Sequence, residues 1–98
     1  MQILIDDGMQ IRVGTGIGKY SQYLYDNLRK SNLCEKVDVL TFAPKSTSKK
    51  SARMAYIKHI NSKKYRDMSA QYDIVHFTNY LMPFRKNKES KYVVTVHD

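Results

Sequence analysis

The first apolar run, Gln2-Ile3-Leu4-Ile5-Asp6, is short and is closed by Asp7-Gly8, a turn signal, so it predicts a buried β-strand. Over residues 16–31 the period changes. Ile17, Tyr20, Leu24 and Leu28 recur at spacings of three and four, which sets them on one face of a helix. Arg29 and Lys30 suit the negative end of its dipole, and Ser31-Asn32 supplies a stop. Val37–Phe42 reads as a second strand, halted by Ala43-Pro44. Further on, Met54, Ile57, Tyr65, Met68 and Tyr72 fall within about 80° of one another on a helical wheel. They predict a helix over roughly 52–70, with Ile60 off that stripe. Asp73–Phe77 predicts a strand, followed by a loop around Pro83, a charged hairpin-like stretch from Arg85 to Lys91, and a last buried strand over Tyr92–Val96.

Strands alternating with helices in this way imply an α/β fold. The expected form is a Rossmann-like three-layer domain whose mostly parallel sheet carries helices on both faces. Ligands of such folds lie beyond the carboxyl ends of the strands, where the strand order reverses. That rule selects the loop after the first strand, the loop after Phe77 and the segment at His97-Asp98. Because Asp98 directly follows an apolar strand, residues 1–98 are expected to be one partial domain of a longer polypeptide.

Ninety-eight residues allow one small domain with a thin core. At 42% apolar and 27% charged residues the chain is neither a disordered tail nor a fibrous repeat, and the lone Cys34 rules out an internal disulfide scaffold. The longest apolar stretches fall far short of the ~20 residues a membrane span requires, and no secretory leader is legible, so a soluble intracellular domain is expected. Net charge changes the picture more. The formal charge is +8, and Lys45, Lys49, Lys50, Arg53, Lys58, Lys63, Lys64 and Arg66 follow one another with no intervening carboxylate. This block supplies the whole excess and has three readings: a solvated helix face, a dock for an anionic membrane surface, or a nucleic-acid footprint. Tyr56 and Tyr65 are the only aromatics inside it, a thin supply of stacking platforms.

Gly14-Thr15-Gly16-Ile17-Gly18-Lys19-Tyr20 lies between the first strand and the first helix, where backbone N–H groups and a helix N-terminus can meet a phosphate. It is not a dinucleotide fingerprint, because Lys19 stands where the third glycine belongs. It is not a P-loop either, because Val13 and Tyr20 break that pattern. A glycine entry to a helix remains the plain alternative. His97 at a strand end is a candidate hydrogen-bonding or acid–base group, or a structural one. His76, mid-strand, reads as a satisfied buried histidine and His59 as surface. Asp6 and Asp7 point to opposite faces of a strand, and no paired ligand spacing exists elsewhere, so no metal site and no cofactor are expected. Asn79 either orients a ligand or forms a turn.

An initial strand, then T-G-I-G-K-Y over Thr15–Tyr20, D-I-V-H-F-T-N-Y-L-M-P over Asp73–Pro83 and V-V-T-V-H-D over Val93–Asp98, in that order, resembles the amino-terminal domain of retaining family-four (group 1) GT-B glycosyltransferases. The likeness spans nearly the whole chain and is nearest to mannosyltransferase-like members that build surface polysaccharides. It implies a Rossmann-like amino-terminal half of a GT-B fold, whose carboxy-terminal donor-binding domain matches nothing here. It further implies transfer of a hexose from a nucleotide-sugar to a glycan or lipid-linked acceptor, a reaction this fragment would not perform alone. By the same resemblance, His97 and Asp98 take the catalytic positions, Gly14, Gly16, Gly18, Lys19 and Tyr20 the loop beneath the donor diphosphate, and Asn79 the acceptor side. Lys49, Lys50, Arg53, Lys58, Lys63 and Lys64 would face an anionic membrane, making the protein cytoplasmic and peripheral on the inner face of the cell membrane. The competing reading is a basic, non-catalytic module for anionic membrane or nucleic acid. An exposed sheet edge also makes self-association of the chain a possibility to test.

Overall fold

A computed structural model describes residues 1–9, 16–43, 48–79 and 81–95. β1 (Gln2–Met9) carries Ile3, Leu4 and Ile5 fully buried, and this run of apolar side chains on both faces is what an inner parallel strand needs. Beside it lie β2 (Lys36–Phe42) on one side and β3 (Ile74–Phe77) on the other, with β4 (Lys91–Val94) beyond β3. All pairings are parallel and the order is β2-β1-β3-β4, so the sheet is the α/β arrangement expected. The chain leaves β1 toward β2 and later returns to β1's other side as β3. The strand order therefore reverses between β1 and β3, and a crevice at their carboxyl ends is the consequence.

Helix α1 (Gly16–Lys30) covers the face of Ile3 and Ile5, and its last turn carries Arg29 and Lys30 as the dipole favours. On the opposite face α2 (Lys49–Ile60) and α3 (Lys63–Ser69) close the main core, in which Ala52, Tyr56, Ile60 and Tyr65 meet Leu4, Val75 and Phe77.

Two expectations are corrected here. The single helix over 52–70 is two helices, separated at Asn61-Ser62. Ser48 and Ser62 are N-caps, each accepting a backbone N–H three residues on. The break resets the helical phase, so the stripe divides. Tyr65 turns inward, but Met54 is 57% exposed, and α2 buries Ala52, Tyr56 and Ile60 instead. The hairpin-like reading of Arg85–Lys91 also gives way, because β3 and β4 run parallel and no helix or strand lies between them among the described residues. The connecting loop is held by side chains. Asn87 donates to Ser69 Oγ and Tyr92 OH, and Ser90 Oγ bonds the carbonyls of Ser69 and Tyr72. Among the described residues no helix is long and apolar enough to cross a membrane.

Candidate functional site at the strand reversal

The rim of the sheet is assembled from three strand ends and the beginning of α1. Asp6, Asp7 and Gly8 come from β1, Thr78 and Asn79 follow β3, and Thr95 follows β4. Ser21 Oγ and Thr78 Oγ1 lie 2.7 Å apart in a buried hydrogen bond, which fastens the second turn of α1 to the end of β3. Tyr20 OH reaches Thr95 Oγ1 at 3.4 Å, and its ring meets His76 edge-on at 6.5 Å. His76 Nε2 is 2.6 Å from Thr95 Oγ1. Burial pushes this imidazole below its usual range, in keeping with a neutral, hydrogen-bonded histidine. The amino-terminal half of α1 thus lies against the carboxyl ends of β3 and β4, and no acidic residue stands in its first turn.

Below the rim, on the α2–α3 face, is a cluster that residue spacing alone did not announce. Asp6 is 2% exposed. Its Oδ1 accepts the Tyr56 hydroxyl at 2.6 Å and the Gly8 N–H at 2.9 Å, while Oδ2 accepts the Tyr65 hydroxyl at 2.6 Å. Burial is the strongest influence on this carboxyl and holds it above the ordinary carboxylate range, against the opposing pull of the three donors and the nearby His59. Burial and the Asp6 charge push both tyrosine hydroxyls upward, so they remain donors. The Gly8 N–H bond closes a tight turn in which Gly8 takes φ +84°, and the Asn79 side chain fills the space a Cβ would need.

Gly16, Gly18 and Lys19 stand in the first turn of α1, inside the helix rather than in a loop before it. Gly14, His97 and Asp98 lie outside the described residues. Asn79, expected on the acceptor side, is 1% exposed, with neither amide atom hydrogen-bonded among the described residues. The two adjacent acids do face opposite ways. Asp6 meets the tyrosines of α2 and α3, whereas Asp7 lines a cleft of about 290 Å³ with Ser21, Gln22 and Tyr25 of α1 and Val37 and Val39 of β2. Among the described residues no group of three His, Cys, Asp or Glu could hold a metal ion.

On the basic block, Lys50, Arg53, Lys58, Lys63 and Lys64 are exposed; Lys49 lies in α2. Lys63 is paired with Asp67 at 2.8 Å. His59, read as surface, is half-buried instead, stacked on Phe42 and edge-on to Tyr65, and burial lowers its pKa. Tyr56 and Tyr65 were weighed as stacking platforms, yet both are buried by their work on Asp6. The missed cluster had one local sign, an Asp at a strand end two residues before a glycine. Compared with family models, curated proteins and solved structures, the chain matches none.

Proposed function

We propose that this chain is the amino-terminal, acceptor-side half of a retaining glycosyltransferase, which takes a sugar from a nucleotide-sugar and passes it to a glycan or lipid-linked hydroxyl in surface polysaccharide synthesis. The observation that carries this reading is the reversal of strand order between β1 and β3, with the acid-free start of α1 packed against the strand ends. A diphosphate leaving group gathers negative charge as the glycosidic bond breaks. The first N–H groups of α1, which a helix leaves without intrahelical partners and which carry no side chain at Gly16 and Gly18, are suited to stabilise that charge. His97, two residues beyond Thr95, would bond the donor sugar and its phosphate, with Asp98 beside it. Asp6, Gly8 and Asn79 would keep the rim rigid from below. The donor-binding half of the site would come from a second domain closing over this rim and excluding water.

The test is sugar transfer by the protein encoded by the complete reading frame, assayed over a panel of nucleotide-sugars with His97→Ala alongside. Turnover in the parent and its loss in a folded His97→Ala protein support the proposal. Retained turnover in that variant removes His97 from the site, and no transfer from any donor refutes the reading. A second reading, a non-catalytic basic module, draws on the exposed Lys50, Arg53 and Lys58 along α2. Sugar transfer by the parent protein would exclude this second reading.

A further inference from the structure

A carboxylate that gives up part of its water without gaining a partner is costly to fold around, and it attracts cations. Asp7 is in that position. Among the described residues its Oδ1 is sealed from solvent with no hydrogen-bond partner, while the residue as a whole is only half-buried. The oxygen left for contact is Oδ2. Asp7 lines the cleft of about 290 Å³ between α1 and β2, so a partner would approach from there.

The rest of the cleft offers acceptors and apolar wall. Ser21 Oγ is engaged with Thr78 Oγ1 at 2.7 Å. Gln22 Nε2 donates to Asp26 Oδ1 at 3.1 Å, which leaves the Gln22 Oε1 as an acceptor. Asp38 borders the cleft, but its Oδ2 accepts the Tyr72 hydroxyl and lies 3.5 Å from Lys36 Nζ. No lysine or arginine lines the cleft among the described residues, and α2 and α3, which carry the basic block, pack on the other face of the sheet. Val37 and Val39 supply the apolar wall beside the Tyr25 ring. That ring already holds one cation over a face, the Arg29 guanidinium at 5.5 Å from its centroid. The volume is at the lower end of small-molecule sites.

We infer that this cleft binds a small organic ammonium ion, its head group on Asp7 Oδ2 and Gln22 Oε1 and its carbon body against Val37, Val39 and Tyr25. An ammonium group donates hydrogen bonds and accepts none, which matches a site left with acceptors. It also neutralises the half-desolvated carboxylate, as a neutral hydroxyl cannot. A metal ion is the lesser fit, because among the described residues no group of three ligating side chains gathers here. Ser21, Gln22 and Tyr25 lie beyond the first turn of α1, where a diphosphate is proposed to sit, and the inference does not depend on sugar transfer.

A chain of 98 residues suits amide NMR. Titration with phenethylammonium chloride should shift the amides around the cleft, Gln22 and Val39 among them, saturably and with a Kd on the order of 1 mM. Phenethyl alcohol, nearly the same body without the charge, should bind at least about tenfold more weakly. Asp7→Asn should weaken the ammonium by about tenfold or more. Gln22→Lys, at an exposed helical position, tethers a competing ammonium beside Asp7 and should abolish binding in a chain whose thermal midpoint is unchanged. An Asp7→Asn chain that binds as the parent does overturns the inference; where that variant does not fold, binding retained by Gln22→Lys does so. Equal binding of the alcohol, or shifts that potassium chloride reproduces at the same concentration, also overturns it. No saturable shift in the parent overturns it too, and binding that then appears in Arg12→Gln assigns Asp7 to that arginine, which lies outside the described residues.

Discussion

Replacing Tyr56 by Phe keeps the ring in the core and removes one hydroxyl from Asp6, which makes it a clean probe of the buried carboxylate. Hydrogen bonds to charged groups are worth about 1.5–3 kcal/mol, and Asp6 Oδ1 keeps the Gly8 N–H after the change. A loss of about 2 kcal/mol is expected, which lowers the thermal midpoint of a domain this size by roughly 8–16 °C. Tyr65→Phe should cost at least as much, since it strips Oδ2 of its one donor among the described residues. The double variant should lose less than the sum, because a carboxyl with a single remaining donor takes up a proton instead of staying charged. Acid should shrink each penalty for the same reason. Asp6 already sits above the ordinary carboxylate range, so the folded chain holds a proton that the unfolded chain releases near pH 3.9. Between that pH and its folded value, the contribution of Asp6 to stability falls as pH rises. Urea denaturation of parent, single and double variants at about pH 7 and about pH 5 measures all of this. A penalty below about 0.5 kcal/mol at neutral pH, or one that grows on acidification, would refute the account of Asp6.

Two further outcomes are expected. Gly8→Ala meets a left-handed backbone and the buried Asn79 side chain, whose Nδ2 and Cγ stand where the new Cβ would go. A loss above about 2 kcal/mol is expected, partly recovered by Asn79→Ala; strictly additive losses in the double variant would show that the two side chains do not meet. His76 and His59 both have pKa values lowered by burial, so near pH 6 the unfolded chain binds more protons than the folded one. The contribution of these two histidines to stability should therefore rise with pH up to about 6.5, opposite in sign to that of Asp6, and His76→Gln should remove its share of that rise in denaturation curves. An unaltered slope in both His76→Gln and His59→Gln would contradict their neutral, packed state.

The tyrosine pair matters because of what it connects. Asp6 belongs to the strand at the order reversal, and its donors belong to the two helices that carry the basic block. The rim proposed to hold a diphosphate and the basic surface thus share one buried anchor.

Local order could be read from residue patterns where the physics is local. The spacing of Tyr20, Leu24 and Leu28, the cations of the last turn, and the unbroken apolar run Ile3–Ile5 specify α1 and β1 whatever surrounds them. The alternation of such elements was enough for a parallel α/β sheet and for the rule that points to its carboxyl rim. Other features needed the assembled chain. Asp6 meets tyrosines 50 and 59 residues away, and nothing near it in sequence foretells that two phenols will keep a carboxylate out of water. The phase of the basic helix failed for a related reason. A wheel drawn across Asn61-Ser62 assumes an unbroken screw, and once capping splits it, contact with β1 and β3 selects which side of α2 is dry. Periodicity reports which residues share a face; the partner packed against that face decides whether it is core or surface.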